Sequence, residues 1–305
     1  MGERLVSQLF PSILGQPLAL SLLSRAIASH SLAPAYLFTG EAGIGKATTA
    51  KAFCQILLEC DRLDPHPDCL WVEPTYLQQE QLIPVSMALQ QGLSCRQSPQ
   101  IRIEQIREVN QFLSLSSQRK VVVVESAEFM LPGAANAFLK TLEEPGNRTT
   151  IILTTNHSER LLPTLLSRCQ VIPFLPLSQE NLRQVLSQRG NGDMAEAIVA
   201  MAQGSPGQAI ALWNSLKSLQ SSILNPRISK LSEALSLARE VGSLPLETQL
   251  LVADYWQVYG WQHRHREWVE RLEALKQQLL KASPQLVWEV ALIAQSRCDN
   301  LVIKM

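Results

Sequence analysis

Gly40-Glu41-Ala42-Gly43-Ile44-Gly45-Lys46 has the spacing G-x-x-x-x-G-K. Glycines at those places let the backbone turn so that successive N–H groups converge on one point at the start of a helix. A lysine adds a positive charge, and the group that such a cradle holds is a phosphate. Ala35–Thr39 before the loop reads as a strand and TTAKAFCQILLEC after it as a helix, the context the motif needs. One position departs. The residue after the lysine is ordinarily Ser or Thr, whose hydroxyl binds Mg²⁺; here it is Ala47. Thr48 stands next to it, but one step along a helix swings a side chain by roughly 100°. Gly40, Gly43, Ile44, Gly45, Lys46, Ala47 and Thr48 therefore form a candidate site for ATP or ADP in which Mg²⁺ lacks a ligand.

Hydrolysis at such a loop also needs a carboxylate at the end of an apolar strand, to hold the metal through water, and a second one behind it to polarise the attacking water. The clearest strand, Lys120–Val124, is an unbroken β-branched run suited to burial on both faces, and it ends in Glu125-Ser126-Ala127-Glu128. Glu125 can stand at the metal position. Ser126 takes the place of the base, and a hydroxyl that titrates far above neutrality cannot accept a proton as a carboxylate does. Glu128, three residues on, is a candidate substitute for the base, but its position fits a solvated surface carboxylate better. The cradle is kept and two catalytic parts are lost.

These residues need a scaffold, and the first half of the chain supplies strands alternating with helices, the pattern of an α/β domain with a largely parallel sheet. Thr150–Thr155 is a third strand candidate, and Ala134–Glu144 a helix with Phe138, Leu139 and Leu142 on one face, stopped by Pro145-Gly146. Asp61 to Gln100 holds five prolines and little periodicity, and reads as an irregular insertion over the surface. Pro173, Pro176 and Ser178 mark a boundary, Ser178 capping the helix that begins SQENLRQVL. Everything beyond reads as helix, first a small bundle ending near Gly204-Ser205-Pro206-Gly207. A second helical region follows, broken at Asn225-Pro226, Gly242, Gly260 and Ser283-Pro284. The expected organisation is an α/β domain over 1–176, a small helical domain over 177–214 and an all-helical domain over 215–305, with every strand in the first. Trp256, Trp261, Trp268 and Trp288, with HRHREW among them, fit amphipathic helices that bury tryptophan better than a nucleic-acid surface.

Lys and Arg match Asp and Glu at 27 each, for a net charge of zero. A chain that held DNA alone over a long footprint would show a basic excess, so contact with DNA is expected only through an assembly. No apolar run approaches the ~20 residues that cross a bilayer, and the start lacks a signal peptide's basic and apolar segments. The chain reads as cytoplasmic, without a membrane partner. Its six cysteines (Cys54, Cys60, Cys69, Cys95, Cys169, Cys298) show no paired spacing and read as free thiols. Cys54, Cys60, His66 and Cys69 are four candidate zinc ligands, but none forms a C-x-x-C pair, and no zinc is expected.

Together these segments resemble the AAA+ subunits of bacterial DNA clamp loaders. The resemblance is carried by Ile13-Leu14-Gly15-Gln16, by Ala35-Tyr36-Leu37-Phe38-Thr39 leading into the phosphate loop, and by Ile101-Arg102-Ile103-Glu104-Gln105-Ile106-Arg107. It continues in Asn136-Ala137-Phe138-Leu139-Lys140-Thr141-Leu142-Glu143-Glu144-Pro145, the most specific stretch, then Thr154-Thr155-Asn156 and Ser167-Arg168-Cys169. It implies an AAA+ domain followed by a lid and a collar, with Asn156 at the sensor-1 position. Many members carry a zinc-binding cysteine module after the first helix; here His66-Pro67-Asp68 comes directly, so that module is missing. The motor subunits carry a sensor-2 arginine in a Gly-Ser-x-Arg context, where this chain has Gly207. A degraded ATP site combined with a retained SRC arginine is similar to the delta-prime type. The resemblance then implies that Arg168 reaches as an arginine finger into a neighbour's ATP site. It implies motor subunits and delta as partners in a hetero-pentameric ring that loads the sliding clamp on primer-template DNA, as an accessory of the DNA polymerase III holoenzyme in replication. Two rivals fit less well. An active ATPase motor of the gamma/tau type is opposed by Ala47, Ser126 and Gly207, and a small-molecule phosphate-loop kinase leaves the helical tail unexplained.

Overall fold

The β-branched run Lys120–Val124 lies in a five-stranded sheet in which every pairing is parallel. The computed structural model describes residues 6, 8–63, 65–78, 81–93, 97–146, 148–224, 226–228, 230–296 and 301–302. It divides into two compact units, 1–177 and 178–305. The first unit runs α1 (Pro17–Ala28), β1 (Ala35–Thr39), α2 (Lys46–Leu58), β2 (Cys69–Val72), β3 (Thr75–Gln78), β4 (Gln81–Pro84) and α3 (Val85–Gln90). It continues with α4 (Ile103–Ser114), β5 (Lys120–Val124), α5 (Pro132–Glu143), β6 (Thr149–Thr155), α6 (Pro163–Leu166) and β7 (Gln170–Pro173). Spatial order in the sheet is β2-β5-β6-β1-β7.

Strand side chains alternate between faces, so each strand feeds two cores. Leu37, Val122, Val124, Ile151 and Leu153 pack with Ile106 and Val109 of α4 and Phe138 and Leu142 of α5. Tyr36, Phe38, Val121, Val123 and Ile152 pack on the other face with Leu20 and Leu23 of α1 and Phe53 and Leu57 of α2. The four valines of β5 are fully buried; each such burial stabilises by roughly 1.5–3 kcal/mol.

The segment 61–100 departs from the sequence reading. Cys69–Val72 is the edge strand β2, registered against Val121–Val124, and β3 pairs antiparallel with β4 in a separate hairpin. Four-residue strands beside prolines leave too short a pattern for periodicity to show.

The second unit is helical: α7 (Gln179–Gln188), α8 (Glu196–Met201), α9 (Pro206–Leu216), α10 (Ser221–Leu224), α11 (Leu231–Gly242), α12 (Leu246–Gln262), α13 (Arg266–Leu279) and α14 (Pro284–Ser296). Ser178 caps α7, its hydroxyl accepting from the Asn181 N–H at 3.2 Å. Helix α9 runs across position 214, and a two-residue ladder, β8 (Arg227–Ile228) with β9 (Leu301–Val302), places strands beyond the α/β part. Gly260 does not break its helix. A Cβ there would meet Val269 Cγ2 at 3.0 Å and Trp268 Cδ1 at 3.3 Å, so the missing side chain lets α12 and α13 close on each other. Trp256, Trp268 and Trp288 are buried in the core, with Trp256 edge-on to Trp288 at 5.5 Å. Trp261 is not in that core; 68% of it is exposed.

Candidate functional site

In a parallel sheet the carboxyl ends of the strands share one edge, and loops leaving them converge there. The phosphate loop leaves β1, Glu125 and Ser126 leave β5, and Asn156 leaves β6, three strands adjacent in the order β5-β6-β1. The sequence-predicted residues of the nucleotide corner are thus brought together.

The loop has the backbone its glycines allow. Gly40 has φ +146°, and a Cβ there would lie 2.5 Å from the Phe174 carbonyl oxygen, so only glycine fits. Gly45, at φ +109°, is the N-cap of α2. Ile44 is buried and anchors the loop in the core, while Ala47 and Thr48 are exposed on the first turn of α2. Gln16 holds the loop in place. Its buried amide donates to Leu175 O at 2.8 Å and to Ile44 O at 3.4 Å, and its oxygen accepts from the Leu175 N–H at 3.1 Å. It thereby ties the loop to the chain leaving β7.

Lys46 is only 7% exposed. Its ammonium donates to Gly40 O at 2.5 Å, Glu41 O at 2.7 Å and Asn156 Oδ1 at 2.8 Å, which uses the three donors a lysine has. Burial pulls its pKa down to about 8, against the opposing charges of Glu128, Glu41 and Glu125. Glu125 is half-buried, and burial followed by the nearby Glu73 raises its pKa, against a hydrogen bond from Trp71 and the charges of Lys51 and Lys46. Ser126 sits in a left-handed turn at φ +50°, its N–H donating to Thr154 Oγ1 at 3.1 Å.

Glu128 corrects the sequence reading. It is half-buried rather than solvated, with Oε1 accepting from the Asn156 N–H at 3.1 Å and Oε2 buried. The short 3₁₀ turn Ala127–Phe129 after β5 folds it back toward the corner, which a linear reading could not foresee. The corner has the glycine-shaped turn and the lysine of a phosphate cradle, with the three Lys46 donors taken here by Gly40, Glu41 and Asn156, and it offers no hydroxyl at position 47 to a divalent cation.

Arg168 is not part of this corner. It precedes β7, whose first residue pairs with Tyr36 near the start of β1, so it lies at the amino edge of the sheet, opposite the phosphate loop. There its Nε donates to Glu143 Oε1 at 3.0 Å, its Nη2 to the same oxygen, and its Nη1 to Thr164 O at 2.9 Å. Glu143 ends α5, so both partners lie at strand-entry positions. Cys169 is half-buried, and burial pushes its thiol up to about 11.

Of the zinc candidates, Cys54 and Cys69 share a hydrogen bond, and His66 Nδ1 accepts from the Asp68 N–H at 3.2 Å. Among the described residues no group of three or more His, Cys, Asp or Glu could hold a metal ion. Cys95 and Cys298, and Asn225 of the expected helix break, lie outside the described residues. No helix among the described residues is long and apolar enough to cross a membrane.

Residues 15–178 match the family model described as DNA polymerase III, delta subunit. Residues 180–295 match the one described as cyanobacterial DNA polymerase III delta prime, C-terminal domain. The chain belongs to the delta-prime family of DNA polymerase III subunits. It is 30% identical to the DNA polymerase III subunit delta' of Bacillus subtilis strain 168, over 65% of this chain and 59% of that one. It is 33% identical to the subunit delta' of Pseudomonas aeruginosa, over 57% of this chain and 54% of that one. The match to the subunit tau of Bacillus subtilis is weaker in identity, 26%, and covers 78% of this chain and 42% of that one. The chain therefore spans less than two thirds of the length of each of these relatives.

Proposed function

We propose that this chain works in a clamp loader as a subunit that does not hydrolyse nucleotide itself and lends Arg168 to the ATP site of a neighbouring motor subunit. The observation that carries this reading is the separation of its two cationic groups. Lys46 is turned inward at the carboxyl edge of the sheet, whereas Arg168 stands at the opposite edge with 32% of its side chain exposed. An arginine on that edge is far from its own phosphate loop and is placed to meet another chain's. There a guanidinium would stabilise the charge spread over a transferring phosphoryl group.

The loop around Lys46 takes ATP or ADP as a fixed ligand in this reading, with Asn156 at its inner end and Ser126 giving no base. Helices α7 to α9 serve as a lid, and the helical region beyond Leu216 as the collar that joins motor subunits and delta in a hetero-pentameric ring. That ring opens the sliding clamp and places it on primer-template DNA in the cytoplasm during replication.

The test is steady-state ATP turnover of the chain alone, then mixed with motor subunits, delta, clamp and primed DNA, for wild type and Arg168→Ala. Silence alone, with a mixed complex that loses most of its rate on Arg168→Ala, is expected. Turnover by the isolated chain that Lys46→Ala abolishes would make it a motor of the gamma/tau type and overturn the reading.

A further inference from the structure

Ser126 gives the corner no carboxylate next to Glu125, yet the corner is not short of acidic character. The 3₁₀ turn Ala127–Phe129 carries Glu128 back against the end of β6. Its Oε1 accepts from the backbone N–H of Asn156 at 3.1 Å, and the side-chain oxygen of that same asparagine accepts from Lys46 Nζ at 2.8 Å. Its Oε2 is buried with no hydrogen-bond partner, an arrangement that costs free energy unless the charge is used. Glu128 is also the strongest of the three carboxylates that hold up the Lys46 charge against burial, ahead of Glu41 and Glu125.

We propose that Glu128 is a positioning residue of the phosphate loop: it fixes the Asn156 backbone so that the amide oxygen meets Lys46, and it sets a carboxylate in the corner that the lysine occupies. This deepens, and rests on, the reading of Gly40–Thr48 as a nucleotide-phosphate site. Lys46 titrates at about 8, close enough to neutrality for a neighbouring charge to decide how much of it is protonated. The charged groups around it are Glu41 in the loop, Glu125 and Glu128 after β5, and Lys51 one turn along α2, which faces Glu125. Ser126 brings no charge of its own, so Glu128 is the only acidic contribution of the turn that follows Glu125.

The proposal is tested on the full chain by two substitutions and two readouts. Glu128→Gln keeps an oxygen for the Asn156 N–H and removes the charge; Glu128→Ala removes both. Lys46 is titrated by NMR through the ¹³Cε shift of biosynthetically ¹³C-labelled lysine, assigned with Lys46→Arg, and exchange of the Asn156 amide proton is followed in parallel. The expected result is a Lys46 midpoint below the wild-type value of about 8 in both variants, with faster Asn156 exchange in Glu128→Ala alone. An unmoved midpoint in both variants overturns the proposal, and a merely structural role for Glu128 would give that outcome. ADP and ATP binding by calorimetry separates it from the reading beneath it. Wild type should bind, Lys46→Ala should not, and Glu128→Gln should weaken most above pH 8. A shifted midpoint in a chain that binds neither nucleotide would support Glu128 as positioning residue and sink the nucleotide site.

Discussion

The two edges of one sheet treat a positive charge in opposite ways. At the carboxyl edge Lys46 is buried, spends its three donors on Gly40, Glu41 and Asn156, and pays for burial with a pKa near 8. At the amino edge Arg168 remains partly exposed, and its contacts are one carboxylate, a carbonyl and a hydroxyl that all belong to the surface. An ammonium can be tuned by surroundings; a guanidinium stays charged and keeps a fork geometry for a phosphate. The difference teaches that one sheet can turn a cation inward, where burial tunes it, and set another at its far edge, where solvent reaches it.

The sharpest way to break this comparison is Arg168→Lys. The charge stays and the fork goes, so if Arg168 acts as proposed, turnover in the mixed complex should fall by about 10³-fold. Turnover near wild type would show that Arg168 is an ordinary surface cation. On the inward edge the corresponding test is Gly40→Ala. An alanine at φ +146° is strained by about 1–3 kcal/mol, and its Cβ would press on Phe174 O at 2.5 Å. Stability in urea should drop by about 3 kcal/mol or more, and a loss under ~1 kcal/mol would mean that the cradle is not held in this shape.

How much of this the sequence disclosed follows from what each residue depends on. The phosphate loop was legible because glycine spacing, a strand before and a helix after are all local. β5 announced itself by four consecutive valines, and Ser178 by its place three residues before Asn181. Cys69–Val72 was missed because an edge strand of four residues among prolines carries no period. Glu128 was misread for a different reason: its burial depends on where β6 ends, 28 residues away, and on a turn that no composition rule specifies. Gln16 likewise acquires its role only when the chain after β7 returns to it, 159 residues later. Gly260 looked like a helix breaker, yet the neighbouring helix needed its bareness. Local chemistry was readable, and long-range placement was not.

A pH experiment sharpens the inward edge. Lys46 has a folded value of about 8 against an ordinary 10.5, so over that window the unfolded chain holds a proton that the folded chain has released. Stability rises with pH wherever the unfolded state binds more protons. The wild type should therefore gain stability relative to Lys46→Met as pH climbs from about 8 to 10.5, and the two should run parallel below 7. Parallel curves throughout would place the lysine in solvent.

The smallest expected effect belongs to Glu143→Gln at the outward edge. Its pair with Arg168 is partly exposed on both sides, 32% and 49%, and such pairs contribute about 0.2–1 kcal/mol. Glutamine keeps an oxygen that can accept from the guanidinium, so the loss of stability should stay below ~1 kcal/mol and vanish at high salt, where exposed charges are screened. The same variant separates two roles for Glu143 in the mixed complex. If it holds the arginine in its forked geometry, turnover falls while the fold is unchanged; if it only screens, neither moves. A stability loss above ~2 kcal/mol would be a different matter. It would make the pair a buried strut, with Arg168 held in place for the fold's sake, and the contrast between an inward and an outward cation would fail.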